Sequence, residues 1–165
     1  MAQNFSFDIV SQVNLQEVDN GINMAQKELA NRYDFKGSKA SIEFNRDKKT
    51  ITLVADDDFK MRALKDIVME RLAKRGVSLK ALTYKDPEQA FEGTIRQVIE
   101  LTCGFPKERA KDLVALIKKQ GAKVQVQIEG EKVRVSSPKK DELQTVIQFL
   151  KTADFPLPLQ VENLR

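Results

Sequence analysis

Arg32-Tyr33-Asp34-Phe35-Lys36-Gly37 packs two cations, two aromatic rings and a glycine into six residues. A loop of that make-up can stack a base on an aromatic ring while Arg or Lys holds a phosphate. The same residues also suit a helix exit in which Phe35 plugs into the core and Lys36 stays exposed, and the sequence leaves both readings open. A second set lies in the C-terminal half. Alternating strands there place Gln125, Gln127, Lys132, Arg134 and Ser136 on one side, with the valines and Ile128 on the other, and Lys139 follows closely. Lys and Arg can hold phosphates, while Gln and Arg can hydrogen-bond base edges. The competing reading is a solvated sheet face of cross-strand polar pairs.

Other chemistry is removed by composition. The chain has no histidine, so imidazole bases, Ser-His and Cys-His nucleophile pairs and histidine metal ligands are all excluded. Cys103 stands alone, which rules out intrachain disulfides and cysteine zinc clusters; it suits a small buried apolar side chain better than a reactive thiol. The seven glycines never fall in the spacing of a phosphate loop or a dinucleotide fingerprint. Asp56-Asp57-Asp58 could gather a cation, but these acids directly precede an apolar helical stripe, where acids favour the positive helix end. With general acid–base work left to unpaired carboxylates, Lys and Tyr, the expectation is a protein that is not an enzyme and needs no cofactor or metal.

The elements that must position these residues follow from periodicity. At 165 residues, 41% apolar and 32% charged, the chain is too hydrophobic for a disordered tail and too charged for a membrane protein, and a basic leader is missing from its start. A cytoplasmic protein is expected. Residues 1–92 carry 15 Lys+Arg against 15 Asp+Glu, while residues 93–165 carry 13 against 9, so the net +4 lies in the second half. A one-sided basic surface suits a phosphate-bearing partner, although ordinary solvated surface gives the same count.

Phe5, Phe7 and Ile9 alternate as a half-buried strand. Asn14 and Glu17 have capping-box spacing before a helix carrying Leu15, Val18, Ile22, Ala25 and Leu29, interrupted by Asn20-Gly21. Ala40 to Phe44 and Ile51 to Ala55 form a hairpin, and Met61, Leu64, Ile67, Val68 and Leu72 a second helix that closes at Arg75-Gly76. Extended stretches around Leu79 to Tyr84 and Thr94 to Thr102 flank Asp86-Pro87-Glu88-Gln89, a polar boundary. The pattern then returns, with a helix from Pro106 to Gly121, a hairpin around Glu129-Gly130-Glu131, a helix with Pro138 in its first position, and a strand near Leu159 to Leu164. The string is β-α-β-β-α-β twice over. It predicts an α+β fold of two ferredoxin-like units, 1–92 and 93–165, each with two helices on one face of a four-stranded sheet.

Phe5-Ser6-Phe7-Asp8-Ile9-Val10-Ser11, the Arg32 to Gly37 run, Lys74-Arg75-Gly76, Val133-Arg134-Val135 and Lys139-Lys140-Asp141-Glu142-Leu143-Gln144 resemble the YajQ family of small bacterial proteins. The resemblance runs in order along nearly the whole chain. It implies two ferredoxin-like domains that exchange their first strands, so that residues 5–11 join the second sheet and residues 94–102 the first. It also implies a nucleotide-binding protein, with relatives described as cyclic di-GMP receptors acting through a transcription regulator and others linked to RNA. The expected function is purine-nucleotide binding, of a cyclic dinucleotide or of GTP or ATP, with an RNA-binding module as the alternative. Arg32, Lys36, Lys132, Arg134 and Lys139 are the expected phosphate contacts, and Tyr33 or Phe35 the stacking ring.

Overall fold

The computed structural model describes residues 4–165; residues 1–3, which open the stretch scanned for a leader, lie outside the described residues. The described residues form an α+β fold with two sheets and four helices. Two compact units arise: one is the chain up to Gln12 together with Cys103–Arg165, the other Val13–Thr102.

The first unit contains β1 (Phe5–Val10), α3 (Lys107–Lys119), β7 (Gln125–Glu129), β8 (Lys132–Ser137), α4 (Lys140–Thr152) and β9 (Gln160–Glu162). Its strand order is β7-β8-β1-β9, with β1 antiparallel to both neighbours. Period-two alternation sends Phe7, Ile9, Val133 and Val135 to the side covered by α3 and α4, where they meet Leu113, Ile117, Leu143 and Val146 in a closed core. Phe105 and Phe155 pack edge to face there, 6.3 Å apart. Asp8 departs from the half-buried expectation. It projects from the opposite face yet is 1% exposed, because side chains from β8 and the C-terminal segment close over it. Helix α4 begins two residues later than Pro138 suggests, since Ser137 is held in β8 opposite Phe5 and its hydroxyl accepts from the Lys139 N–H.

The second unit contains α1 (Leu15–Asn31), a 3₁₀ turn at Tyr33–Phe35, β2 (Ser41–Asn45), β3 (Thr50–Ala55), α2 (Asp58–Lys74), β4 (Leu82–Tyr84), β5 (Glu88–Gln89) and β6 (Ile95–Leu101). The strand order is β2-β3-β6-β4. The polar stretch at Asp86 to Gln89 contributes β5, which pairs with β6. Capping follows the local chemistry: Asn14 accepts from the Gln16 and Glu17 N–H groups at 3.0 and 3.3 Å, and Asp57 accepts from Lys60 N–H at 2.8 Å. Glu17 does not turn back to complete a capping box, because Arg75 holds its carboxylate through two bonds. Asp56 is likewise occupied, by Ser38 and the Lys39 N–H. Among the described residues, no cluster of acids or Cys103 could hold a metal, and no helix is long and apolar enough to cross a membrane.

Gly21 sits mid-helix, where glycine costs about 1 kcal/mol relative to alanine. Packing explains it. A Cβ there would lie 3.0 Å from Leu72 Cδ2 and 3.4 Å from the Arg71 carbonyl oxygen, so the missing side chain lets α1 approach α2. The substitution Gly21→Val is therefore expected to destabilise the protein by about 1–3 kcal/mol, the usual range for overpacking, as read by urea denaturation.

Candidate functional site

Helix α1 ends where Arg32 leaves helical backbone angles, and the following turn closes through Phe35 N–H to Arg32 O at 3.2 Å and Lys36 N–H to Tyr33 O at 3.1 Å. Gly37, at φ +76°, reverses the chain, and Ser38 and Lys39 then dock on Asp56. Phe35 provides the anchor. Its ring is 5% exposed, with the Lys60 ammonium 4.9 Å and the Arg32 guanidinium 5.6 Å from its centre. The Lys60 ammonium also donates to the Asp34 carbonyl oxygen, tying α2 to the turn. Phe35 is thus closed to a base. Tyr33 is not, at 88% exposed.

Arg32 forks onto Asp34, Nε to Oδ1 at 2.9 Å and Nη2 to Oδ2 at 2.8 Å, and Nη1 lies 3.6 Å from Glu28. The fork holds the Asp34 carboxyl below its ordinary range and raises the Arg32 guanidinium above its own. Both side chains are well solvated, and such pairs are worth about 0–1 kcal/mol, so a phosphate can exchange for Asp34 at little cost. Lys36 is exposed, and no described residue pairs with its ammonium. Arg32 also lines a cavity of about 470 Å³ with Met24, Lys27, Glu28, Asn31 and Arg71.

The second predicted set stands on the β7-β8-β1-β9 sheet, in the other compact unit. Register places Gln127, Arg134, Asp8 and Glu162 in one row across the four strands, and Gln125 opposite Ser136. Arg134 Nε donates to Asp8 at 2.9 Å, its Nη1 is 3.2 Å from Glu129, and Lys132 is 3.5 Å from Asp8. Asn163 supplies a further bond to Asp8 at 3.1 Å. The Arg134 hydrogen bond, opposed by burial and aided by Asn163 and Lys132, holds the Asp8 carboxyl at about 2, down from 3.8. Gln125 and Gln127 are exposed, and Lys139, exposed before the first turn of α4, bonds to Ser137 only through its backbone. Gln125 also lines a smaller cavity, of about 290 Å³, with Lys123 and Ser136. Cys103 is half-buried.

Residues 5–165 match the family model described as "Nucleotide-binding protein YajQ-like". The chain belongs to the YajQ-like family. It is 59% identical to a protein of Endomicrobium trichonymphae and 49% identical to one of Carboxydothermus hydrogenoformans, in each case over the full length of both chains. A Chloroherpeton thalassium protein is 44% identical over the same span. All three relatives are named "Nucleotide-binding protein", none as an enzyme.

In this YajQ-like chain the two predicted sets therefore differ in kind. Around the Tyr33 turn the cations are free or weakly held; on the sheet face, Lys132 and Arg134 serve a buried internal carboxylate. Sequence reasoning missed Asp8 as their partner, and it missed Lys27, Glu28, Asn31 and Arg71. The spacing of Met24, Lys27, Glu28 and Asn31 was the available signal, since it sets all four on one face of α1.

Removing the Asp8 partner has a predictable cost. The Arg134→Ala variant is expected to lose about 1–3 kcal/mol of stability at pH 7, measured by urea denaturation, because a buried carboxylate loses its main donor. Because the folded Asp8 is more acidic than the unfolded one, the stability it supplies is complete above about pH 4 and is lost as pH falls through about 2. In Arg134→Ala the folded carboxyl moves back toward its ordinary range, so this acid-dependent part of the stability is smaller.

Proposed function

We propose that this chain is a non-enzymatic binder of a purine nucleotide, with cyclic di-GMP as the ligand and a protein regulator as the partner through which binding acts in the cytoplasm. Tyr33 stacks the base, while Arg32 and Lys36 meet phosphates. The observation that carries this reading is the 88% exposure of the Tyr33 ring, in a turn that also carries Arg32 on a solvated carboxylate and an exposed Lys36. An aromatic face contributes about 1–3 kcal/mol per stacked base, enough to make such a ring worth exposing. The names of the relatives support the ligand class.

Gln125, Gln127 and Lys139 are exposed on the other unit, whereas Lys132 and Arg134 are assigned to supporting Asp8. We read the two units as ferredoxin-like, with the opening strands of halves 1–92 and 93–165 exchanged. The pairing of β1 with β8 and β9, and of β6 with β3 and β4, supports that reading.

Titrating cyclic di-GMP, GTP, ATP and a short RNA at several salt concentrations tests the function. A two-phosphate ligand is expected to give a log–log salt slope of about −1 to −2, and single-stranded RNA gripped at five to eight phosphates a slope of about −4 to −6. The substitution Tyr33→Ala is expected to weaken nucleotide binding by about 1–3 kcal/mol in calorimetry. RNA binding with the steep slope and no nucleotide affinity would replace this reading with the RNA-binding alternative.

A further inference from the structure

The cavity beside the turn holds an arrangement that base stacking does not use. Lys27, Glu28 and Asn31 come from one face of α1, Arg71 comes across from α2, and Arg32 closes the end. Three cations and one carboxylate line the cavity. Glu28 Oε1 accepts from Arg71 Nε at 2.9 Å and from Arg71 Nη2 at 2.6 Å, while its Oε2 lies 3.6 Å from Arg32 Nη1. A single anion bridging two guanidinium groups has the position and hydrogen-bond demand of a bound phosphate oxygen pair. The lining keeps a net excess of two positive charges even with Glu28 in place, and no described residue pairs with the Lys27 ammonium. Met24, 37% exposed, adds an apolar wall, and about 470 Å³ is within the range of small-ligand sites.

We infer that this cavity is a phosphate subsite, in which Lys27, Arg32 and Asn31 take the ligand's phosphate oxygens and Arg71 is shared between ligand and Glu28. Glu28 acts as a resident competitor that weakens the subsite and keeps the two guanidinium groups aimed into it. The identity of the ligand as a nucleotide rests on the reading above; the phosphate chemistry does not.

Opposite responses to two substitutions separate this role from a structural one. Inorganic pyrophosphate is titrated into the full chain at low salt by calorimetry, in parallel with cyclic di-GMP. Lys27→Gln is expected to weaken pyrophosphate binding about tenfold, the loss of one charge-assisted contact. Glu28→Gln is expected to tighten it about three- to tenfold, by releasing the partly buried Arg71 guanidinium from its ion pair. Unchanged pyrophosphate affinity in Lys27→Gln overturns the subsite, as does weakened binding in a folded Glu28→Gln. Should Glu28→Gln fail to fold, the exposed Lys27 position decides alone. Nucleotide binding by wild type without pyrophosphate binding removes the subsite only; pyrophosphate binding with the opposed responses, but no nucleotide affinity, removes the nucleotide reading only.

Discussion

The proposed binding depends on one constraint: internal carboxylates already hold the guanidinium groups that a ligand's phosphates would need. Arg32, Arg71, Arg75 and Arg134 each rest on a carboxylate of the chain: Asp34 with Glu28, Glu28, Glu17, and Asp8 with Glu129. Burial decides which of these can be traded. Asp8 is almost fully enclosed and carries three partners, so taking Arg134 from it strands a charge away from water. Asp34 is solvated, and water replaces Arg32 around it with little loss. On the proposed reading, the ligand's phosphates are met where the ion pairs are weakest.

Two packing events prepare that place. Burial of Phe35 under Arg32 and Lys60 fixes the turn, and a three-residue turn with its third side chain driven inward turns its first outward. The absence of a Cβ at Gly21 brings α2 close enough to α1 for Arg71 to reach Glu28. Core packing and ligand chemistry are linked here through backbone approach, not through any residue that does both.

Much of this was legible from local pattern. The Asn14 and Asp57 caps, the 40–55 hairpin and the apolar stripe of α2 need only neighbours in sequence, and the structure has them. Long-range partners were not legible. Nothing near Asp8 in the chain announces Arg134, 126 positions away, so the alternating strand gave no sign that Arg134 pairs with a buried acid. The start of α4 slipped for a similar reason: pairing of Ser137 with Phe5 outweighs the local preference of Pro138 for a first helical turn. Arg71 and Glu28 lie on two helices 43 positions apart, and only the packing of those helices turns an ordinary solvated face into a lined cavity.

The most direct test maps the ligand onto the backbone and side chains at once, by following amide and arginine Nε–H resonances of isotopically labelled protein as cyclic di-GMP is added. The account predicts shifts concentrated at Tyr33, Lys36 and the Arg32 side chain, with the Arg134 Nε–H unmoved on Asp8. Shifts confined to Gln125, Gln127 and Arg134, with the Tyr33 turn silent, would contradict it.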